Sequence, residues 1–267
     1  MTKTPIRLRH ETRLRVLEVA AVTDLTPRMR RITLSGEQLA GFTSPGHADH
    51  IKVFLPEPGH PPVLPVLGAE GLLFPADQPR PAMRDYTPRR FDPVALTLDL
   101  DFVLHGDGPA SSWAAQATVG QQLVIGGPRG SLIVPTDYDW HLLIGDETGL
   151  PAIARRLDEL PEGARAVVLV EIADAGDRQP LPSGTGIELH WVERPGEAVG
   201  DATPLLTKLA SLTLPAGEAH SFMAAESSVV KALKAYLIEQ RGFEPEAIRA
   251  SGYWLYGVAD AHEPHSA

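Results

Sequence analysis

The sequence predicts an antiparallel β-barrel or β-sandwich in its first half and an α/β domain in its second half. Three observations lead to this prediction. The 267 residues include 24 Gly and 25 Pro, which favours turns and short strands over long helices. Residues 95–105 alternate between apolar and mostly polar side chains. From residue 141 onward, apolar strands instead alternate with amphipathic helices, as they do around a parallel sheet.

The clearest strand of the first half is Ala95–His105, in which every second residue from Leu96 to Leu104 is apolar. This period of two predicts one buried face. Four shorter strands are predicted at Arg13–Val22, Arg30–Leu34, His50–Leu55 and Gln121–Ile125. Proline is dense and periodicity is lost between Pro56 and Pro81, which predicts a long surface connection.

The second half is predicted to start near Thr136–Trp140. Its predicted strands are His141–Gly145, Ala166–Ile172, Ile187–Val192 and Ser221–Ala225. Its predicted helices are Pro151–Leu160 and Ser227–Gln240, each with one apolar face. We expect a frayed polar tail over Val258–Ala267.

Composition excludes several kinds of function. The chain has no cysteine, so disulfides, cysteine-ligated metal clusters and a cysteine nucleophile are ruled out. Any redox centre must therefore be a bound cofactor. The formal charge of −10 argues against nucleic-acid binding, which needs a basic surface. No run of about 18 apolar residues predicts a membrane span, and no secretory signal begins the chain, so we expect a cytoplasmic protein that is not embedded in a membrane.

The first candidate motif is Arg84-Asp85-Tyr86-Thr87. An arginine can bind a phosphate in a bidentate manner. On an extended strand, a tyrosine two residues later points to the same side, where its ring can cover a flat cofactor. The alternative is a strand end with ordinary surface residues.

The second candidate motif runs from Gly106 to Ala114, directly after the alternating strand. Its glycines allow a tight turn, Pro109 suits a first helical turn, and Ser111 and Ser112 supply hydroxyls. Free N–H groups at such a helix start attract pyrophosphate. The alternative is a plain strand–turn–helix connection.

The third candidate motif, Gly145 to Pro151, follows a strand at the carboxyl edge of the predicted sheet, where α/β folds bind ligands. It is not a dinucleotide fingerprint, because Asp146 and Glu147 would repel a phosphate; it could contact a flavin ring or nicotinamide instead. His47 and His50 have metal-ligand spacing but lie in a turn that runs into a strand, so we predict no metal site.

Together these segments resemble the siderophore-interacting protein family, which comprises flavin-dependent ferric-siderophore reductases related to ferredoxin–NADP reductases. The resemblance extends from about residue 12 to residue 257. The matching segments are Arg84–Thr87, Asp101–Gly106, Gly108–Ala114, Gly127–Ser131, Gly145–Thr148, Pro151–Ile153 and Ser251–Trp254.

The resemblance implies an FAD-binding antiparallel Greek-key β-barrel in residues 1–138 and a Rossmann-like three-layer α/β domain of the NAD(P)H-binding type in residues 139–267. Tyr86 would cover the isoalloxazine, Thr87 would approach its N5 region, and Arg84 would hold phosphate. The implied cofactor-binding residues are Arg84, Asp85, Tyr86, Thr87, Asp101, Phe102, Val103, His105, Pro109, Ala110, Ser111, Ser112, Asp146 and Thr148.

For substrate, the family relies on a small basic cluster near the flavin, and Lys52 and Arg129 match two of its positions. Leu255 and Tyr256 stand where the family commonly has basic residues. The implied activity is reduction of a ferric siderophore to release iron(II), with electrons from NAD(P)H or ferredoxin, by a protein that we expect to be a monomer.

Two alternatives remain open from the sequence. One is another flavin reductase of the same architecture, acting on a protein or a quinone. The other is a siderophore-binding module without catalytic activity.

Overall fold

The structure is a computed structural model that describes residues 3–57, 59–68, 71–106, 108–182, 184–196 and 199–258. Most of the predicted polar tail, from residue 259 on, lies outside the described residues. The chain forms two compact units. One comprises residues 5–134, and the other comprises residues 135–258 together with residues 3 and 4. In the described part of the chain, no helix is long and apolar enough to cross a membrane.

The first unit is built almost entirely of strands. Its elements are β1 (Ile6–Arg9), β2 (Leu14–Thr26), β3 (Met29–Ser35), β4 (Ile51–Leu55), β5 (Val66–Gly68), β6 (Gly71–Leu73), β7 (Ala82–Tyr86), β8 (Arg90–Asp92), β9 (Thr97–Val103), α1 (Pro109–Gln116), β10 (Gln122–Gly126) and β11 (Gly130–Ile133).

Seven of these strands form one antiparallel sheet in the order β7-β4-β10-β2-β3-β9-β8. Chain neighbours such as β3 and β4 lie apart in this order, as in a Greek key. The sheet curls into a barrel, because Tyr86 of β7 packs on Phe102 of β9 from the other end of the order. Alternate residues of β9, namely Leu98, Leu100 and Phe102, fill the core, as the period of two predicts.

Three features of this unit differ from the sequence prediction. The proline-dense connection after Pro56 is not uniformly irregular, since β5 and β6 pair within it as a hairpin. β1 was not predicted either, and it pairs with β11 outside the seven-stranded sheet. The predicted strand over Ala95–His105 is shorter in the structure and starts at Thr97, because Leu96 has a φ of +50° that ends the extended backbone.

The second unit is an α/β domain. Its elements are β12 (Trp140–Gly145), α2 (Leu150–Glu159), β13 (Ala166–Ile172), β14 (Ile187–Glu193), α3 (Thr203–Ser211), β15 (Ala219–Glu226), α4 (Ser227–Arg241) and β16 (Ile248–Trp254).

These five strands form a parallel sheet in the order β14-β13-β12-β15-β16. The order reverses between β12 and β15, so that the carboxyl ends of these two strands flank a crevice at which doubly wound sheets bind ligands. The inner strand β13 is buried along its whole length, which explains why all of its residues except Glu171 are apolar. The third predicted motif follows β12 and therefore lies at this crevice.

Candidate flavin and nucleotide sites

The first candidate motif lies on β7, whose alternation separates its side chains onto two faces. Asp85 points toward the neighbouring strand β4, where Lys52 Nζ lies 2.8 Å from its Oδ1. Arg84 and Tyr86 share the opposite face, because they are two residues apart on an extended strand. Thr87 follows the strand and is buried. The strand thus places an arginine and an aromatic ring side by side, as the sequence predicts.

Tyr86 belongs to a chain of three aromatic rings that joins β7, β9 and α1. Its ring centroid lies 4.1 Å from that of Phe102, and Phe102 lies 5.5 Å from Trp113. Burial raises the pKa of the Tyr86 hydroxyl, and the nearby Arg84 guanidinium only partly opposes this rise. These contacts fix the orientation of the Tyr86 ring, which is what a platform for a flat cofactor requires.

A hydrogen bond joins the end of β9 to the start of α1 at the second candidate motif. The backbone N–H of His105, just after β9, donates to Ser111 Oγ at 2.8 Å. Pro109 occupies the first turn of the helix. The cap residue is Gly108, which has no side chain to accept a hydrogen bond from the helix start. The first N–H groups of α1, including that of Ala110, therefore remain available to an anionic ligand.

A cavity of about 690 Å³ lies beside this helix start, which is within the range of about 300–1,000 Å³ for small-molecule sites. It is lined by Leu55, Pro56, Glu57, Gly59, His60, Pro61, Pro62, Arg80, Ala82, Pro109, Ser112, Trp113, Gln116, Gln121 and Gln122. An arginine beside a ring, an uncapped helix start and an adjoining cavity together fit a flavin dinucleotide.

Not every predicted cofactor residue presents its side chain to this region. Asp101 is buried and forms a bidentate ion pair with Arg31, at 2.7 and 2.8 Å. Its carboxylate is therefore already occupied, and its neighbour Val103 ends the strand β9. Among the predicted substrate residues, Arg129 is exposed on the loop before β11, whereas Lys52 is bound to Asp85. No group of three metal-ligating side chains is present among the described residues.

In the second unit, Asp146 fixes the crevice between β12 and β15. Its Oδ1 accepts hydrogen bonds from Thr148 N at 2.8 Å, Thr148 Oγ1 at 2.6 Å and Gly149 N at 3.3 Å. Its Oδ2 accepts from Glu226 N at 3.1 Å and Trp254 Nε1 at 2.8 Å. Burial raises the pKa of Asp146, and the Thr148 hydrogen bonds oppose that rise. The side chain ties together the ends of β12, β15 and β16.

Glu147 is not the free negative charge that the sequence suggests. Arg194, directly after β14, donates to both of its carboxylate oxygens, at 2.5 and 2.8 Å. The same guanidinium reaches Glu171 Oε1 of β13 at 3.2 Å. The prediction that Glu147 repels a phosphate assumed a free negative charge. That assumption is wrong, because Arg194 pairs with this carboxylate.

Sequence reasoning missed this ion triad because its members lie on three separate strand ends. Glu171 Oε2 is buried and has no hydrogen-bond partner among the described residues. Burial raises the pKa of Glu171 to about 7, against the lowering effect of Arg194. One oxygen of this carboxylate is thus bound by Arg194 and the other is not. Because Glu171 lies at the carboxyl edge of the sheet, a nucleotide that donates electrons could contact this second oxygen.

Comparisons with known proteins cover both units of the chain. The family model described as "Siderophore-interacting FAD-binding domain" matches residues 18–132, and the model described as "Siderophore-interacting protein" matches residues 138–257. The chain is 39% identical to the NADPH-dependent ferric-chelate reductase of Escherichia coli over 94% of this chain and 96% of that protein. It is 32% identical to the ferric vibriobactin reductase of Vibrio cholerae over 91% and 90%.

Solved structures give the same relationship. A siderophore utilization protein from T. fusca superposes with a TM-score of 0.88 at 37% identity, covering 96% of this chain and 99% of that one. A ferredoxin reductase of carbazole 1,9a-dioxygenase superposes with a TM-score of 0.64 at 17% identity and so shares the fold alone. On these grounds the chain belongs to the siderophore-interacting protein family.

Proposed function

We propose that this protein is an FAD-dependent reductase of ferric siderophores that takes its electrons from NAD(P)H. The observation that carries the proposal is the face of β7 that Arg84 and Tyr86 share, with Tyr86 packed on Phe102, together with the open start of α1. Membership of the family supports an oxidoreductase, and so does the relative named a ferric-chelate reductase.

Each residue of the barrel site has a proposed part. Tyr86 covers the flavin ring, Arg84 binds phosphate, and Thr87 offers its backbone N–H to the ring. The N–H groups of Ala110 and Ser111 bind pyrophosphate, while the Ser111 hydroxyl accepts the His105 N–H and the Ser112 N–H donates to Gly108 O. Asp85 acts through Lys52, because the two form an ion pair. Asp101 shapes the site from behind through its ion pair with Arg31.

The chemistry requires little acid–base catalysis from the protein. When bound, FAD accepts the two electrons of a hydride and passes them on one at a time. One NAD(P)H therefore reduces two iron(III) complexes to iron(II), with NAD(P)+ and one proton as the other products. Siderophores hold iron(III) through hard, often anionic oxygens and hold iron(II) much more weakly, so reduction releases the metal. The protein contributes position and local charge.

On the donor side, the neutralised Glu147 makes the β12–β15 crevice compatible with a nucleotide. Asp146 and Thr148 would position the loop that meets it. Ferredoxin is an alternative electron donor. We further propose that the protein is a monomer that acts in the cytoplasm, with Lys52 and Arg129 contacting the ferric siderophore.

An anaerobic assay on FAD-loaded protein tests the activity directly. Each donor (NADH, NADPH or reduced ferredoxin) is combined with a ferric siderophore, and released iron(II) is trapped by a ferrous chelator. We expect donor-dependent release of two iron(II) ions per NAD(P)H. Tight siderophore binding without iron(II) release would instead indicate a binding module, and reduction of quinones alone would indicate another flavin reductase.

The flavin site is tested by replacing the Tyr86 ring. Tyr86→Ala removes the ring that packs on Phe102, and we expect the dissociation constant of FAD to rise about fivefold, since an aromatic contact contributes about 1 kcal/mol. Tyr86→Phe keeps the ring and should retain FAD. Fluorescence titration of the apoprotein with FAD measures both, and equal affinities in the two variants would contradict the assignment.

A further inference from the structure

A second concave site lies on the barrel unit and is lined mainly by basic side chains. Its volume is about 340 Å³, within the range of small-molecule sites. The lining residues are Arg9, His10, Glu11, Arg13, Arg15, Gly41, Thr43, Gly127 and Pro128. Three guanidinium groups and one carboxylate give this basic cavity a formal charge of +2 in a protein of formal charge −10. Such a local reversal of charge attracts anions.

The basic cavity is held in shape by backbone contacts. Arg15 is buried and donates to Gln38 O at 2.9 Å and to Gly127 O at 3.1 Å, so it forms the base of the cavity. Burial and the neighbouring Arg13 lower the pKa of Arg15. A bound anion would offset this mutual repulsion of two guanidinium groups.

His10 is also held in place. Ser131 Oγ donates its only proton to the buried carboxylate of Asp49, at 2.5 Å. The 2.7 Å contact between His10 Nε2 and Ser131 Oγ therefore needs His10 Nε2–H as the donor. The imidazole that lines the cavity thus has a set orientation. The remaining rim is exposed: Arg13 pairs with Glu11, while Arg9 has no ion-pair partner among the described residues.

The basic cavity and the flavin motif (Arg84–Thr87) lie on strands that are separated by a single strand of the sheet. Gly126 of β10 pairs with Leu14 on one side and with Lys52 of β4 on the other, and Lys52 pairs in turn with Asp85 of β7. Gly127, which lines the cavity, is therefore separated from the flavin motif by about two strand spacings, on the order of 10 Å. A ligand large enough to fill the cavity can extend toward the flavin.

We propose that the basic cavity binds the anionic part of a ferric chelate, through phenolate or carboxylate oxygens, and makes the enzyme select chelates by net charge. This inference rests on the proposed function. Arginine is suited to this task, because its planar fork matches carboxylate-like oxygens. Arg9 and Arg13 discriminate between substrates, while Arg15 supports them.

The test uses the double variant Arg9→Gln/Arg13→Gln in the full-length, FAD-loaded protein. Both side chains are exposed, so the variant should fold, and circular dichroism with FAD content verifies this. For an anionic ferric tris-catecholate we expect KM to rise about tenfold with kcat within about twofold, because two charge-assisted contacts are lost. For a cationic ferric trishydroxamate we expect KM to stay within about twofold.

Arg7→Gln is the control for charge on β1, because it removes one positive charge from the strand that carries Arg9 but Arg7 does not line the cavity. It should leave both KM values unchanged. The inference is overturned if the double variant alters KM equally for both chelates, or alters neither.

Binding of the gallium(III) tris-catecholate, which is redox-inert, separates the two proposals. Equilibrium dialysis should show a dissociation constant about tenfold weaker in the double variant than in the wild type. If this weakening occurs but the wild type reduces no ferric chelate, the proposed function fails and the cavity assignment stands. If the wild type reduces ferric chelates but gallium binding is unchanged in the variant, the cavity assignment fails and the function stands.

Discussion

At the scale of single residues, two buried histidines stand side by side in the parallel sheet. His141 of β12 and His220 of β15 are register partners, with ring centroids 6.5 Å apart and side chains almost entirely shielded from solvent. Burial lowers the pKa of His141 to about 4 and that of His220 to about 3, and the nearby Arg156 adds to both effects. Both rings are therefore neutral near pH 7.

These histidines should make the protein less stable in acid. Their folded-state pKa values lie below the ordinary 6.5, so the unfolded chain binds more protons below that pH. Their contribution is full above pH 6.5 and is lost as the pH falls, by about 2 kcal/mol for each ring at pH 5. Glu171 acts in the opposite direction, because its raised pKa stabilises the folded state on acidification from pH 7.

The variant His220→Phe isolates this effect, since Glu171 is common to both proteins and cancels. We expect the free energy of unfolding to fall by about 2 kcal/mol less between pH 7.5 and pH 5 in the variant than in the wild type. Urea denaturation at each pH measures the difference. His60→Phe, at an exposed position, is the control. An unchanged pH dependence in His220→Phe would refute the argument.

The ion triad at the crevice gives a second prediction at this scale. Arg194→Met would leave Glu147 and Glu171 buried without their shared cation, which should lower the free energy of unfolding by about 3 kcal/mol at pH 8. Arg178→Met breaks an exposed ion pair with Glu193 and should cost less than about 1 kcal/mol. Equal losses in the two variants, measured by urea denaturation, would contradict the role given to burial.

At the scale of elements, the start of α2 lies directly against the end of β15. A Cβ atom on Gly149 would lie 2.0 Å from Ala224 O, and one on Gly145 would lie 2.6 Å from the same oxygen. Only glycine at these positions allows the helix and the strand to approach so closely. The glycines of the third motif therefore serve packing as well as the crevice.

Gly149→Ala should separate α2 from β15 and lower the free energy of unfolding by about 2 kcal/mol, as for other overpacked interiors. Gly184→Ala is the control, because no atom lies within 4 Å of its added Cβ and its backbone does not require glycine. Thermal and urea unfolding of both variants measure the effect. An unchanged free energy of unfolding in Gly149→Ala would mean that α2 moves away from β15 without loss of stability.

At the scale of the whole molecule, FAD binding is expected to stabilise the barrel unit more than the α/β unit. The residues assigned to it lie mainly on β7, β9 and α1 of the barrel unit. At one hundred times its dissociation constant, FAD should stabilise the folded protein by about 2.7 kcal/mol. Hydrogen exchange should therefore slow more in peptides covering residues 82–116 than in peptides covering α4, as mass spectrometry can measure.

The sequence predicted those elements whose pattern is strong within one segment. β9 alternates over its whole length and β13 is apolar except for Glu171, and both were predicted. The helix α3 and the strand β16 were not predicted. α3 has nine residues and β16 contains Gly252 among polar residues, so neither shows a long period. β1 was missed because all four of its residues are exposed, so the strand has no buried face and no alternation of apolar and polar residues.

The flavin motif could be predicted because Arg84 and Tyr86 are close in sequence and a strand places them on one face. The ion triad could not, because Glu147 and Arg194 are 47 residues apart and meet only through the register of β12, β13 and β14. The basic cavity could not be predicted for the same reason: Gly41, Gly127 and the β1–β2 segment meet only in the folded barrel.

The position of β1 has an evolutionary consequence. This four-residue strand pairs only with β11 and stays outside the seven-stranded sheet, yet it carries Arg9 to the basic cavity. Substitutions in β1 would not disturb the barrel core, because all four of its side chains are exposed. If the basic cavity selects chelates by charge, as we propose, that preference can change through substitutions in β1 without any change in the residues assigned to the cofactor.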